Sequence, residues 1–152
     1  PRDARGKAEV DQWLFWQVGG LGPLAGQTHH FRQYAPALTA DQRHLAYGVR
    51  RYTDETNRLY GVLDRRLADR EFVAGDYSIA DMAIWPWIVP YARQGQDLAD
   101  FPHVKRWFET LGARPAVQAG RALGAELGRD LARAGREADA SRAVLFGQRA
   151  SR

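Results

Sequence analysis

The stretch Asp76-Tyr77-Ser78-Ile79-Ala80-Asp81-Met82-Ala83-Ile84-Trp85-Pro86-Trp87 constrains this chain more than any other. Ser78 followed three residues later by Asp81 is a capping box. The serine hydroxyl is placed to accept from the N3 amide, that of Asp81, and the carboxylate reaches back to the Ser78 amide. Tyr77 before the cap and Met82 in the first turn stand where a hydrophobic staple would fix the entry angle. Beyond the cap the helix is apolar on every side, through Ile79, Met82, Ala83, Ile84, Trp85, Trp87, Ile88, Val89 and Tyr91, and a helix without a polar face is expected to be buried. Asp81, Pro86, Pro90 and Arg93 interrupt it before the roughly twenty apolar residues of a membrane span accumulate. Pro86 removes one intrahelical bond and predicts a kink near Met82. The expectation is a central helix with the remaining chain packed round it.

At 152 residues the chain is one domain's worth, long enough to bury a real core. Five tryptophans make that core bulky. The net charge of +4 comes from 22 basic groups interleaved with 18 acidic ones. Nucleic-acid binding calls for a clustered basic stripe, and Arg50-Arg51, Arg65-Arg66 and Lys105-Arg106 are only short pairs, so no nucleic-acid partner is expected. With no cysteine the chain has neither a disulfide framework nor a thiol nucleophile of its own. That fits a reducing compartment, and a cytoplasmic location is expected. No signal or transit segment is recognisable, and a start at Pro1 rather than methionine suggests a processed or truncated polypeptide.

Strand signals are almost absent, and Gly/Pro punctuation separates helical stretches instead. A first helix is expected from about Arg5 to Val18. It meets Gly19-Gly20-Leu21-Gly22-Pro23-Leu24-Ala25-Gly26, read as a backbone break where glycine adopts positive φ and lets another surface approach closely. Gln27 to Tyr34 resumes a short helix before Pro36. Thr39-Ala40-Asp41-Gln42 reads as a second capping box, opening a long helix to about Arg70. Its inner stripe is Leu45, Val49, Tyr52, Thr56, Leu59 and Leu63. Gly75-Asp76 is a turn. Phe101-Pro102 starts the next helix, with Val104, Trp107, Phe108 and Leu111 facing inward, and Arg114-Pro115 stops it. A weaker helix, broken by Gly120, Gly124 and Gly128, then runs to Ala134, and an extended arginine-rich tail occupies 135–152. The class is all-α, a bundle of about five to six helices, in one domain over 1–134.

Few residues announce chemistry. His29-His30 point about 100° apart on a helix and have no acidic partner at ligand spacing, so no metal is expected. The Gly19-Gly20-Leu21-Gly22 run comes after a helix rather than a strand and lacks the Lys-Ser/Thr pair of a phosphate loop. No nucleophilic triad or flagged carboxylate pair is visible, so no catalytic residue is assigned. Arg51 lies outside the inner stripe, four residues before Glu55 and seven before Arg58. It reads either as half of a solvated ion pair or as a planar donor for a ligand carboxylate. Trp13, Trp16, Trp85, Trp87 and Trp107 read most simply as core. Trp16, three residues before the glycine run, equally suits the wall of a small-molecule pocket.

Three blocks together resemble one family. They are Trp13-Leu14-Phe15-Trp16-Gln17-Val18-Gly19-Gly20-Leu21-Gly22-Pro23 continuing to Gly26-Gln27 and His29-His30-Phe31; Tyr47 to Leu63 with Arg51-Tyr52, Glu55 and Arg58-Leu59-Tyr60; and Phe72-Val73-Ala74-Gly75 through Trp87 with Arg114-Pro115-Ala116-Val117 downstream. The string from Ser78 resembles the capping-box core helix in the all-α C-terminal domain of cytosolic glutathione transferases. The first block resembles the Nu-class, or Ure2-like, branch. The likeness covers about residues 8 to 120 and departs at Leu24, where methionine is common, and past Gly128.

The resemblance implies a two-domain homodimer that uses glutathione as co-substrate, with no metal. A thioredoxin-like N-terminal half would hold most of the glutathione, and this chain corresponds to the helical half, which supplies a second-substrate wall and dimer interface. Carried over, Arg51 matches an arginine that contacts the glutathione carboxylate. Gln17, Gly20, Gly22 and Pro23 match the rim over its sulfur, and Trp13, Trp16 and Phe31 are candidate pocket walls. The implied activity is glutathione-dependent disulfide reduction or conjugation to electrophiles, with this chain alone inactive. The competing expectation is a non-catalytic dimerisation or interaction module of the same fold.

Overall fold

The computed structural model describes residues 1–38 and 42–134. The expected Thr39-Ala40-Asp41 cap and the tail 135–152 lie outside the described residues. Among those described, the only strand-like feature is an isolated bridge between Phe72 and Gly75, and the architecture is the expected all-α bundle. The chain divides into two units, Pro1–Leu111 and Gly112–Arg152.

Helix α1, Ala4–Trp16, starts where the Asp3 carboxylate accepts from the Gly6 amide at 2.8 Å. The expected glycine break beyond it does not exist. Gln17–Leu21 is a π-helical turn leading directly into α2, Gly22–His29, and a second π turn, His30–Tyr34, leads into a 3₁₀ turn at Ala35–Ala37. Among the described residues φ is positive only at Gly75 and Gly95. Prolines explain the substitution of a wide turn for a break. The Gly22 amide bonds the Gln17 carbonyl and the Ala35 amide bonds the His30 carbonyl, each five residues back. Pro23 and Pro36 come next in each case. A proline ring clashes with the carbonyl four residues earlier, here Gly19 and Arg32, and a π turn moves that carbonyl aside without ending the helix. Close approach does occur at Gly22, where an added Cβ would lie 2.8 Å from Gln17 Nε2 and 3.3 Å from the Trp87 ring.

Helix α3, Gln42–Leu67, runs antiparallel to this rod. Glu9 pairs with Arg66, Gly20 faces Leu59, Thr28 bonds Thr56 and Phe31 stacks on Tyr52. Its predicted stripe faces inward, with Leu45, Thr56, Leu59 and Leu63 buried and Tyr60 and Leu67 added. Buried Thr28 and Thr56 share a 2.8 Å hydroxyl–hydroxyl bond, and Thr28 Oγ1 also donates toward backbone carbonyls, so the polar pair is satisfied inside the core.

Helix α4, Ile79–Ile88, carries the predicted capping box: Ser78 Oγ accepts from the first-turn backbone and Asp81 accepts from the Ser78 amide at 3.1 Å. The helix is not buried on every side. Ile79 and Met82 are 56% and 51% exposed, because its first turn opens onto a 440 Å³ cleft shared with Lys7, Val10 and Asp11. Tyr77 packs its ring on Phe72. Asp81 itself is fully buried. It accepts from the Val73 amide (3.0 Å), from Ser78, and from Trp107 Nε1 (2.9 Å) on helix α5, Pro102–Gly112. Between α4 and α5, Tyr60 donates to Gln94, Gln94 donates to the Trp87 carbonyl, and Gln96 donates to the Thr53 carbonyl, pinning the linking turns to α3. In the second unit, helix α6 runs uninterrupted over Pro115–Ala134. Gly120, Gly124 and Gly128 do not break it, since a helical glycine costs about 1 kcal/mol against alanine rather than forbidding the helix.

Candidate functional site

The antiparallel ladder fixes how far apart the predicted site residues lie. Gly20 sits opposite Leu59 and Phe31 opposite Tyr52. Seven to eight residues of α3 therefore separate the glycine-rich rim from the level of Arg51, about 12 Å at 1.5 Å per residue. Phe31 reaches its place because Gly48 lacks a side chain: an added Cβ there would collide with the Phe31 ring. The ring stacks on Tyr52 at 5.2 Å and borders a 370 Å³ cleft with Arg32, Pro36, Leu45 and Val49.

Trp13 and Trp16 are elsewhere. They form an edge-to-face pair at 5.2 Å, and the Arg66 guanidinium lies 5.3 Å from the Trp13 ring centroid. Trp13 is buried. Fifteen residues of helical rod separate Trp16 from Phe31, about 20 Å, so the three aromatic candidates do not gather round one cavity. Gln17 is buried beneath Gly22, while Pro23 is exposed.

Arg51 is half-exposed, with 52% of its side chain accessible, and its Nη1 lies 3.7 Å from Glu55 Oε2. That is an ion pair longer than a hydrogen bond. Glu55, only 16% exposed, is held instead by Arg58, whose Nε and Nη2 donate to its two oxygens at 3.0 and 2.6 Å. The Arg58 hydrogen bonds are the largest cause that keeps the Glu55 carboxyl below its usual range; desolvation opposes them, and the charges of Arg58 and Arg51 and, least, the polar contact with the Arg51 side chain add to them. The sequence placed all three residues on one helix, but not which arginine the carboxylate prefers.

His29 is pushed down by burial and by the charge of Arg93. Among the described residues no group of three His, Asp or Glu side chains could hold a metal, and no helix is long and apolar enough to cross a membrane.

Residues 48–115, from Gly48 on α3 to the first residue of α6, match the family model of the glutathione S-transferase C-terminal domain. This segment belongs to that family. Its similarity to Disulfide-bond oxidoreductase YfcG of Escherichia coli is 48% identity over 122 residues, covering 80% of this chain and 53% of that protein. A Burkholderia graminis glutathione transferase, solved with two glutathione molecules bound per subunit, superposes with a TM-score of 0.69 at 40% identity, covering 79% of this chain and 51% of that one. The Saccharomyces cerevisiae Transcriptional regulator URE2 is 31% identical over 149 residues, covering 76% of this chain and 40% of the regulator. These likenesses agree with an Ure2-like place among glutathione transferases. The transferase-like chain spans about half the length of these relatives or less.

Proposed function

We propose that this chain is the helical half of a cytoplasmic, homodimeric glutathione transferase, supplying the second-substrate wall and dimer interface. The rest of the glutathione site is expected from a thioredoxin-like domain. The whole protein then reduces disulfides with glutathione or conjugates glutathione to electrophiles. In the reduction, a glutathione thiolate attacks one sulfur of the substrate disulfide, the S–S bond breaks and the other sulfur leaves as thiolate. A second glutathione thiolate resolves the mixed disulfide, giving glutathione disulfide and the second reduced thiol. No cysteine from this chain enters those steps, and it has none.

The observation that carries this reading is Arg51. Its guanidinium is half-exposed and is not consumed by its carboxylate neighbour at 3.7 Å, which leaves planar donors for a ligand carboxylate. The axial distance of about 12 Å between Arg51 and the glycine-rich rim is close to the roughly 10 Å of an extended tripeptide. Buried Gln17, exposed Pro23 and the glycines between them suit the rim role, and Phe31 suits a pocket wall better than buried Trp13 does.

Calorimetric titration of glutathione disulfide and then glutathione tests this, using the full polypeptide encoded by the reading frame beside the 152-residue chain. Binding by the longer form, weakened at least tenfold by Arg51→Ala and unchanged by Arg65→Ala, is expected. Equal effects of the two substitutions defeat the assignment. If neither form binds, the better account is a non-catalytic dimerisation or interaction module, a reading favoured by the relative named as a transcriptional regulator.

A further inference from the structure

Three charged residues of α3, Arg51, Glu55 and Arg58, do different jobs. Arg58 engages both oxygens of Glu55, at 3.0 and 2.6 Å, in the forked geometry that guanidinium makes best. Arg51 stands one turn away on the opposite side of the same carboxylate, too far for a hydrogen bond at 3.7 Å. Glu55 is mostly withdrawn from water, whereas Arg51 and Arg58 are 52% and 59% exposed. A carboxylate in that setting needs a cation, and either arginine could serve. A carboxylate that turned fully to Arg51 would occupy the donors a ligand requires.

We infer that Arg58 acts as a decoy cation: by gripping both oxygens of Glu55 it holds the carboxylate away from Arg51, whose donors stay available to an incoming carboxylate. This rests on the reading of Arg51 as the glutathione-carboxylate contact. Arg58 is a positioning residue, Glu55 is the competitor it restrains, and neither touches the ligand. The arrangement uses the difference between a fork and a point charge. Lysine at 58 would preserve the charge but lose the bidentate grip, letting the Glu55 carboxylate turn toward Arg51.

The test measures glutathione disulfide binding by calorimetry in the full-length protein, with thermal unfolding confirming that each variant folds. Arg58→Lys is expected to weaken binding about threefold to tenfold. Adding Glu55→Gln in that background removes the competing charge and is expected to restore binding to within about twofold of the unsubstituted protein. Unchanged binding in Arg58→Lys overturns the inference, as does a loss that Glu55→Gln fails to repair, because Arg58 would then act on the ligand by another route. Arg51→Ala run alongside separates the two claims. If it has no effect, the underlying assignment of Arg51 fails. If it weakens binding while Arg58→Lys does not, only the decoy role fails.

Discussion

Asp64 and Arg106 cap each other's helices. Asp64 on α3 accepts from the amides of His103 and Val104, at 2.8 and 3.0 Å, in the first turn of α5. Arg106 on α5 donates to the carbonyls of Leu67 and Arg70, at 2.7 and 2.6 Å, where α3 ends. The local cap position of α5 is Phe101, whose carbonyl takes the first helical bond from Lys105. Its side chain has no acceptor, so the carboxylate that a helix start wants comes from another helix.

Asp64→Ala is expected to lower stability by about 1–2 kcal/mol. Asp64→Asn, which keeps an acceptor oxygen, should cost less. Arg106→Ala is expected to cost about 1–2 kcal/mol for its two charge-assisted bonds. Urea unfolding of the single variants checks this, and a loss from Asp64→Ala no larger than that from Asp54→Ala on the exposed face would contradict the capping role.

Asp81→Ala should be far more damaging than Ser78→Ala. It strips the Val73 amide and Trp107 Nε1 of their acceptor inside the core, and buried unsatisfied donors cost about 1–3 kcal/mol each. Losing the Ser78 hydroxyl removes one cap bond worth about 1 kcal/mol. Denaturant midpoints of the two variants give the comparison.

Two glycines of α3 should respond oppositely to the same change. Gly61→Ala places its methyl at ordinary contact, 3.5 Å from the flexible tip of Arg65, and should gain up to about 1 kcal/mol of helix propensity. Gly48→Ala drives a methyl into the Phe31 ring and should lose about 1–3 kcal/mol through overpacking. Equal shifts in melting temperature would show that Phe31 does not occupy the Gly48 notch.

Acidification should destabilise the protein through His29. Burial first, and Arg93 second, hold its pKa below the ordinary 6.5. The unfolded chain therefore binds more protons than the folded one between the folded pKa and 6.5, so this stability is complete above that window and is lost as pH falls through it. The melting temperature should fall as the pH is lowered below the ordinary imidazole value of about 6.5, and His29→Gln should flatten that part of the profile. The Glu9 and Glu55 contributions, whose carboxyls Arg66 and Arg58 respectively hold low, should fade only at more acid pH.

The elements that were legible are those governed by local rules. The Ser78–Asp81 box formed as read, and the stripe from Leu45 to Leu63 faced inward because a 3.6-residue period leaves a helix one apolar side to bury. The glycine-rich stretch was misread for a local reason as well. Glycine and proline together usually mark a break, but here proline stands two residues beyond the end of a five-residue π turn, at Pro23 and again at Pro36. The widened turn absorbs the proline while packing on α3 holds the rod together.

By itself the sequence determined the inward faces of α3 and α5, the capping box of α4 and the all-α class, because helical hydrogen bonds close within four or five residues. It also put Arg51, Glu55 and Arg58 on a single helix. Only the tertiary structure decided that Glu55 belongs to Arg58, that Phe31 lies about 20 Å from Trp16 along the rod, and that α5 takes its cap from Asp64, 39 residues before His103. The first of these is a competition between two donors within reach of one acceptor, which side-chain packing resolves. The others are contacts between distant parts of the chain, which no local period encodes.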